Sequence, residues 1–266
     1  MAPGTDLAYL ASELRTAHDI TVPKKSLKIS AVAPSKGTTV LDPSLLTQDF
    51  DLLRFEAAAL DQLNIPGPVC DAKDENPSQP TPLSTFLISS PYNNPGHYLD
   101  LEDLDTANLI FSKALTALKA VRSDYATAPY TEALNLNTVV QLVGDFAKEE
   151  GFEWKEHGFY VVIFRSKLKE IVDSELLYAL DYESHREACE SGGLLKYWFG
   201  APSSERRNLA TCFWRSREDA YAGGLGPWHK KARAAGRELY EYIVFTTHRF
   251  TILDGATGFT FEDWEK

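Results

Sequence analysis

The alternation of apolar and polar positions is clearest after residue 157, where it predicts alternating strands and helices. Four segments combine an apolar centre with flanking turn residues, as strands do: 158–168, 193–201, 209–216 and 242–253. Helical spacing fills the two longer gaps, at 173–190 behind the cap residue Asp173 and at 227–240 behind Pro227. The order β-α-β-β-α-β is that of the ferredoxin-like split βαβ unit, which packs both helices on one face of an antiparallel sheet.

Before residue 158 the same pattern is weaker and predicts mostly helices. The segment 84–90 has the apolar run of a buried strand. Helical periodicity is present in four stretches: 6–18, 48–65, 103–121 and 137–150. We therefore predict an α+β chain in three parts: a weakly ordered segment 1–48, an α/β part 49–157, and a ferredoxin-like half 158–266. The part before 158 is either an N-terminal extension or a degenerate second half.

The distribution of charge supports this division. The 266 residues carry a net charge of −11 at pH 7, of which residues 1–157 hold −10 and residues 158–266 hold −1. An acidic surface repels nucleic acid and anionic lipid, so neither is expected as a partner. We expect the ligand site in the nearly neutral, aromatic-bearing second part of the chain.

Cysteine usage and the length of apolar runs indicate a cytoplasmic protein. The three cysteines are scattered and form no Cys-x-x-Cys pair, which favours a reducing compartment. No run approaches the roughly 18 consecutive apolar residues that a membrane span requires. The N-terminus lacks the basic flank and the long apolar stretch of a signal peptide. We therefore expect no membrane association.

Two sequence segments resemble a known superfamily. They are the Ser-Gly-Gly-Leu-Leu-Lys-Tyr-Trp run at 191–198 and the Phe-Trp-Arg-Ser-Arg-Glu-Asp-Ala run at 213–220. A glycine-led second strand, and a third strand that ends in Trp before a short helix start, resemble the antibiotic biosynthesis monooxygenase type of dimeric α/β barrel. A loop and a helix bearing His229 follow, as in that superfamily. The whole chain also resembles a family of fungal proteins that carry such a half at the C-terminus.

The resemblance implies a pocket and a dimer. In the superfamily two sheets close on each other, usually in a homodimer, and each subunit keeps a pocket between its sheet and its helices. A small hydrophobic or aromatic molecule is the ligand that this pocket implies. The part of the chain before residue 158 is the alternative cover for the open sheet face, because that face must be buried by some apolar partner. Members of the superfamily include cofactor-free oxygenases, haem-using enzymes, isomerases and stress proteins, so the fold does not determine the reaction.

Two histidines are the candidate catalytic residues. His229 lies near the start of the second predicted helix, where the positive end of the helix disfavours the imidazolium and favours a neutral general base. His185 lies on the first predicted helix, close to its apolar stripe. The alternative for both is a surface helix position without a chemical role.

Aromatic residues on the predicted strands are the candidates for the pocket wall. The substrate-binding candidates are Tyr160, Tyr197, Trp198, Trp214 and the strand-terminal Arg215, which could orient an anionic group. Neighbouring residues of a strand face opposite sides, so either Trp198 or the pair Tyr197 and Phe199 lines the pocket. Aromatic core packing is the alternative explanation for all of these rings.

We expect no metal and no resident cofactor. The acidic stretch at 97–105 matches no calcium-binding loop, and its carboxylates are explained by the start of a helix. Haem is the alternative if the protein does bind a cofactor. In haem-degrading relatives the ligand histidine lies about one turn beyond the position of His229, and Arg233 occupies that place here.

The leading functional hypothesis is an enzyme for a small hydrophobic or aromatic metabolite. Its chemistry would be cofactor-free oxygenation, or an acid–base isomerisation or elimination. The alternatives are a non-catalytic ligand-binding or stress-related protein with the same pocket, and an interaction protein that uses its acidic N-terminal part.

Overall fold

The computed structural model describes residues 86–92 and 96–264. The predicted weakly ordered segment 1–48 and the helices predicted at 6–18 and 48–65 lie outside the described residues. The described part is an α+β protein, as predicted, with one five-stranded antiparallel sheet and one small hairpin.

The five-stranded sheet contains the predicted β-α-β-β-α-β unit. In chain order its elements are β3 (His157–Leu168), α4 (Ser174–Ser191), β4 (Leu194–Phe199), β5 (Arg207–Trp214), α5 (Arg217–Gly223), α6 (Pro227–Leu239), β6 (Tyr240–Ile252) and β7 (Phe259–Asp263). The strands lie in the order β4-β5-β3-β6-β7, and every neighbouring pair is antiparallel. Strands β3 to β6 have the ferredoxin-like arrangement, which confirms the predicted fold.

The residues before β3 form a hairpin and a set of helices. Strands β1 and β2 pair with each other in an antiparallel manner, and a short 3₁₀ turn extends α1. The elements are β1 (Phe86–Ile88), β2 (Tyr98–Asp100), α1 (Thr106–Ala114), the 3₁₀ turn Leu115–Ala117, α2 (Tyr130–Ala133) and α3 (Leu136–Glu149).

One face of the large sheet packs against α1 and α3. The Phe111 ring of α1 lies 4.0 Å from the ring of Phe159 and 5.8 Å from that of Phe250, and all three are fully buried. Val139 and Val143 of α3 belong to the same apolar core. The first part of the chain therefore covers this face, which is one of the two alternatives that the sequence left open. One apolar core therefore contains residues from both sides of position 157. The division of the chain into domains at that position stays a prediction.

The opposite face of the sheet packs against α4. Tyr160, Tyr197 and Trp214 point to this side and form a cluster with Ala188 of α4. The first turn of α4 is capped by Asp173, whose carboxylate accepts the Leu176 N–H at 2.9 Å. Helix α4 ends at Gly192, where φ is +83°, a left-handed conformation that favours glycine.

Candidate functional site

A polar cluster lies between α4 and the sheet, next to the aromatic side chains of Tyr160, Tyr197 and Trp214. Asp181, His185 and Cys189 are four residues apart along α4, so their side chains project from one side of the helix. Tyr92 and His97, from the chain around the first hairpin, meet them there. The cluster therefore joins the two parts of the chain through side chains that carry chemistry.

Asp181 is the hydrogen-bond acceptor at one end of this cluster. The Tyr197 hydroxyl donates to Oδ1 at 2.6 Å, and the Tyr92 hydroxyl donates to Oδ2. Burial raises the pKa of Asp181, and the two hydroxyl donors and nearby His229 counter only part of that effect. Burial and the neighbouring carboxyl raise the pKa of Tyr197 well above its usual value, so this phenol stays protonated.

His97 and His185 form a buried imidazole pair. Their Nδ1 atoms lie 2.8 Å apart, and the two rings are nearly parallel with centroids 5.1 Å apart. Burial lowers the pKa of His97 to about 4 and that of His185 well below 6.5, so both are neutral near pH 7. His97 Nε2 has no hydrogen-bond partner among the described residues. The tautomer with the proton on His97 Nδ1 is favoured, because the other would bury an unpaired N–H.

Cys189 lies beside the imidazole pair without forming a nucleophilic dyad. Its Sγ is 3.7 Å from both ring nitrogens of His185, a distance that permits a weak contact. Burial and the Glu190 carboxylate raise the pKa of the Cys189 thiol to about 12. A thiol with so high a pKa is a poor nucleophile at neutral pH.

A carboxylate–imidazole pair lies at the junction of α4 and α6. Glu187 Oε2 is 3.0 Å from His229 Nδ1, and the same carboxylate accepts the backbone N–H groups of Trp228 and His229. Burial alone would raise the pKa of Glu187, but these hydrogen bonds outweigh it and lower the pKa. Glu187 is therefore ionised and serves as the N-terminal cap that α6 lacks in its own sequence.

Glycine at position 226 makes this cap possible. A Cβ at Gly226 would overlap the Glu187 carboxylate, so a side chain there would displace it from the start of α6. The close approach of Glu187 therefore explains why glycine is the first residue of the Gly-Pro-Trp-His sequence. This glycine leaves room for the group that orients His229.

Two clefts of about 340 Å³ each open beside these clusters. The first lies between the end of α4 and the start of α6, with Glu187, Gly226 and Trp228 in its wall. The second lies between β2 and the end of α4, with Cys189 and Arg215 in its wall. Cys189 lines the second cleft and also contacts His185, whereas Glu187, the partner of His229, lines the first.

The structure brings some of the predicted site residues together and separates others. Tyr160, Tyr197 and Trp214 share one cluster, but Tyr92 packs among them and fills the space expected for an open pocket. His185 is buried, with 4% of its surface exposed, whereas His229 is only partly buried. Each of these two histidines meets a different partner, and they do not form a common base.

Trp198 and Arg215 stand apart from that cluster. Trp198 lies on the opposite face of the sheet, where its ring makes an edge contact with Tyr125, so its predicted place in the pocket wall does not match the structure. The alternation along β4 leaves Tyr197 and Phe199 on the α4 side. Arg215 forms a salt bridge with Asp219 at 2.9–3.0 Å.

Sequence reasoning missed four residues of the site: Tyr92, His97, Asp181 and Glu187. Asp181 lies four residues before His185 on a predicted helix, and that spacing was the available signal. Glu187 lies two residues after His185 and gave no such signal, because residues two apart on a helix do not face each other. Tyr92 and His97 gave no such signal, because they come from a loop 88 or more residues away from their partners.

The described residues contain neither a metal-binding cluster nor a membrane-spanning helix. No group of three or more His, Cys, Asp or Glu side chains is placed to hold a metal ion there. Among the described helices, none is both long and apolar enough to cross a membrane.

The sequence relatives identify the family. Residues 88–263 match the PB2B2.08-like family, from the end of β1 to the end of β7. The chain belongs to the PB2B2.08-like family. Its relative in Schizosaccharomyces pombe, the UPF0643 protein PB2B2.08, is 34% identical over 184 residues, which cover 66% of this chain and 84% of that protein. The resemblance to a fungal family is thereby confirmed, and the family includes the helices that cover the sheet.

Two solved structures overlap the ferredoxin-like half. Rv0793 from Mycobacterium tuberculosis is 20% identical, with a TM-score of 0.30, and covers 34% of this chain and 91% of that one. A protein from Nitrosomonas europaea, described as a candidate antibiotic biosynthesis monooxygenase, is 16% identical, with a TM-score of 0.30, and covers 33% and 94%. The strand order establishes the fold independently of these two likenesses.

Proposed function

We propose that the protein is an acid–base enzyme for a small hydrophobic or aromatic molecule, with His229 as its general base. The supporting observation is that His229 contacts Glu187, a residue in the wall of a 340 Å³ cleft that also includes the neighbouring Trp228. A carboxylate that binds one ring nitrogen of histidine fixes the tautomer and leaves the other nitrogen as a proton acceptor. Among the candidate histidines, His229 has this orientation together with partial exposure.

The proposed reaction begins with proton transfer. His229 Nε2 takes a proton from a C–H or O–H group of the substrate, and the electron pair left behind drives an isomerisation or an elimination. The ionised Glu187 stabilises the imidazolium that forms, and it remains a positioning residue because it binds Nδ1. The proton returns to another atom of the substrate or to the leaving group, so the step needs no external electron acceptor.

Replacement of His229 tests this proposal. In a screen of aromatic and hydrophobic metabolites, His229→Gln should lower kcat by about 10²–10⁴-fold, because the general base is lost. Glu187→Gln should lower kcat less and shift its pH profile, while leaving binding of the substrate nearly unchanged. His248→Gln is the matched control, because His248 Nδ1 also lies 3.1 Å from a carboxylate, that of Asp263, but neither residue of that pair lines the cleft, whereas Glu187 does. Turnover that persists in His229→Gln would refute the role of His229.

A non-catalytic ligand-binding role is the second candidate. It is favoured by the burial of His185 and by the way Tyr92 fills the space between α4 and the sheet. Saturable binding of a metabolite that is never converted would support this role instead. The homodimer, the cytoplasmic location and the absence of a cofactor stay predictions.

A further inference from the structure

The Tyr92 side chain fills a space in the ferredoxin-like half that has the size of one aromatic ring. Tyr92 lies outside that half, 89 residues before Asp181, and only 2% of its surface is exposed. Its hydroxyl donates to Asp181 Oδ2, and the other carboxylate oxygen accepts the Tyr197 hydroxyl at 2.6 Å. The protein therefore contacts both the ring and the hydroxyl group of the Tyr92 phenol.

The walls of this space come almost wholly from α4 and β4. Five rings have centroids within 5.1–6.5 Å of the Tyr92 ring, four of them from these two elements: His97, Tyr178, Tyr182, His185 and Phe199. Without Tyr92, the same walls would enclose an aromatic slot with a carboxyl group at its end. An engineered apolar cavity of about 150 Å³ in the core of another protein binds benzene.

We propose that this slot is a binding site for a phenol-bearing small molecule, and that Tyr92 occupies it as an intramolecular substitute for the ligand. The Asp181 carboxyl group selects a molecule that can donate a hydrogen bond, because a buried acceptor left without a donor is costly. The surrounding rings select a planar aromatic body. An aromatic carboxylate is excluded, since its charge would face Asp181.

Binding of a phenol in this slot can be tested separately from the reaction proposed at His229. Equilibrium binding measures it without turnover, so a failure here leaves the acid–base proposal standing, and the reverse also holds. The probes are p-cresol, which carries the side chain of tyrosine, and toluene, which has the same ring and methyl group but no hydroxyl.

The first experiment empties the slot with Tyr92→Ala. Isothermal titration should show that this variant binds p-cresol at least about tenfold more tightly than toluene, because only p-cresol can donate to Asp181. Phe111→Ala is the matched control, since it removes a ring from the apolar core on the other face, where Phe159 and Phe250 offer no acceptor. That variant should bind p-cresol no more tightly than toluene.

The second experiment weakens the binding of the residue 92 side chain in the slot but keeps its aromatic ring, so that the protein stays folded. Tyr92→Phe loses the donor to Asp181 but preserves the aromatic packing. It should therefore release the slot more readily and bind p-cresol about tenfold more tightly than the unaltered protein does. Equal p-cresol affinity in Tyr92→Phe and in the unaltered protein would overturn the proposal, as would a Tyr92→Ala variant that does not prefer p-cresol to toluene. Tyr92 would then be a permanent part of the core.

Discussion

At the scale of single residues, the buried imidazole pair has the largest electrostatic consequence. His97 and His185 share one hydrogen bond in a site that water does not reach, and both are neutral there. An unfolded chain exposes the same rings to water, where an imidazole takes up a proton near pH 6.5. Protons therefore bind more strongly to the unfolded state, and acid should weaken the fold.

The pair predicts a specific dependence of stability on pH. Because burial lowers the pKa of His97 to about 4, its contribution is complete above pH 6.5 and is lost as the pH falls from 6.5 towards 4. Between pH 7.5 and pH 5 this amounts to about 2 kcal/mol of the free energy of unfolding. Urea unfolding should show that loss in the unaltered protein and a smaller one in His97→Asn, whose amide cannot be protonated in this range. The same pH dependence in both proteins would contradict this assignment.

At the scale of elements, the ends of α5 and α6 are shaped by groups outside those helices. Glu187 of α4 caps α6, and the short helix α5 lies directly against Trp214 at the end of β5. Two adjacent glycines end α5 and have different surroundings. A Cβ at Gly223 would overlap the Trp214 ring, whereas a Cβ at Gly224 would meet nothing closer than 3.6 Å.

The two glycines should therefore differ in their tolerance of alanine. Gly223→Ala forces Trp214 to move within a packed core, and it should lower the free energy of unfolding by about 1–3 kcal/mol. Gly224→Ala is the matched control and should change it by less than about 0.5 kcal/mol. Thermal unfolding followed by tryptophan fluorescence measures both. Equal effects of the two substitutions would show that α5 does not pack on Trp214 in this way.

At the scale of the whole molecule, most of the large sheet is covered on both faces by residues of its own chain, while the consecutive β6 residues Tyr242, Ile243, Val244 and Phe245 remain 40–67% exposed. Helices α1 and α3 occupy one face and α4 the other. A homodimer that closes sheet against sheet would need the face that Phe111 and its neighbours occupy. The predicted homodimer would therefore require another surface or the displacement of this cover.

The shared core predicts that the cover and the sheet unfold together. Phe111→Ala should lower the free energy of unfolding by about 3–5 kcal/mol, because it leaves a cavity among three buried rings. Amide hydrogen exchange should quicken in β3 and β6 as much as in α1. Val121→Ala, at a residue 55% exposed, should have little effect. Faster exchange confined to α1 would mean that the cover is an independent unit.

The regular elements were predictable because their signals are local. Asp173, Gly192 and Pro227 lie at the helix ends where the sequence predicted them, and the four strands of the ferredoxin-like unit lie in the segments with apolar centres. The fifth strand, β7, was missed, because its five residues alternate too briefly to outweigh the turn before them. Strand β2 has only three residues, which are too few to show a period of two.

The sequence by itself determined the β-α-β-β-α-β unit, the start of its first strand near residue 157 and the position of His229 at the start of a helix. These properties depend on periodicity and capping, which act over a few residues. Only the tertiary structure decided what covers the sheet, that Glu187 orients His229, and that Tyr92 and His97 reach Asp181 and His185. The side-chain hydrogen bonds among these contacts join residues 42 to 89 positions apart, and they form because packing and burial select partners by shape and not by distance along the chain.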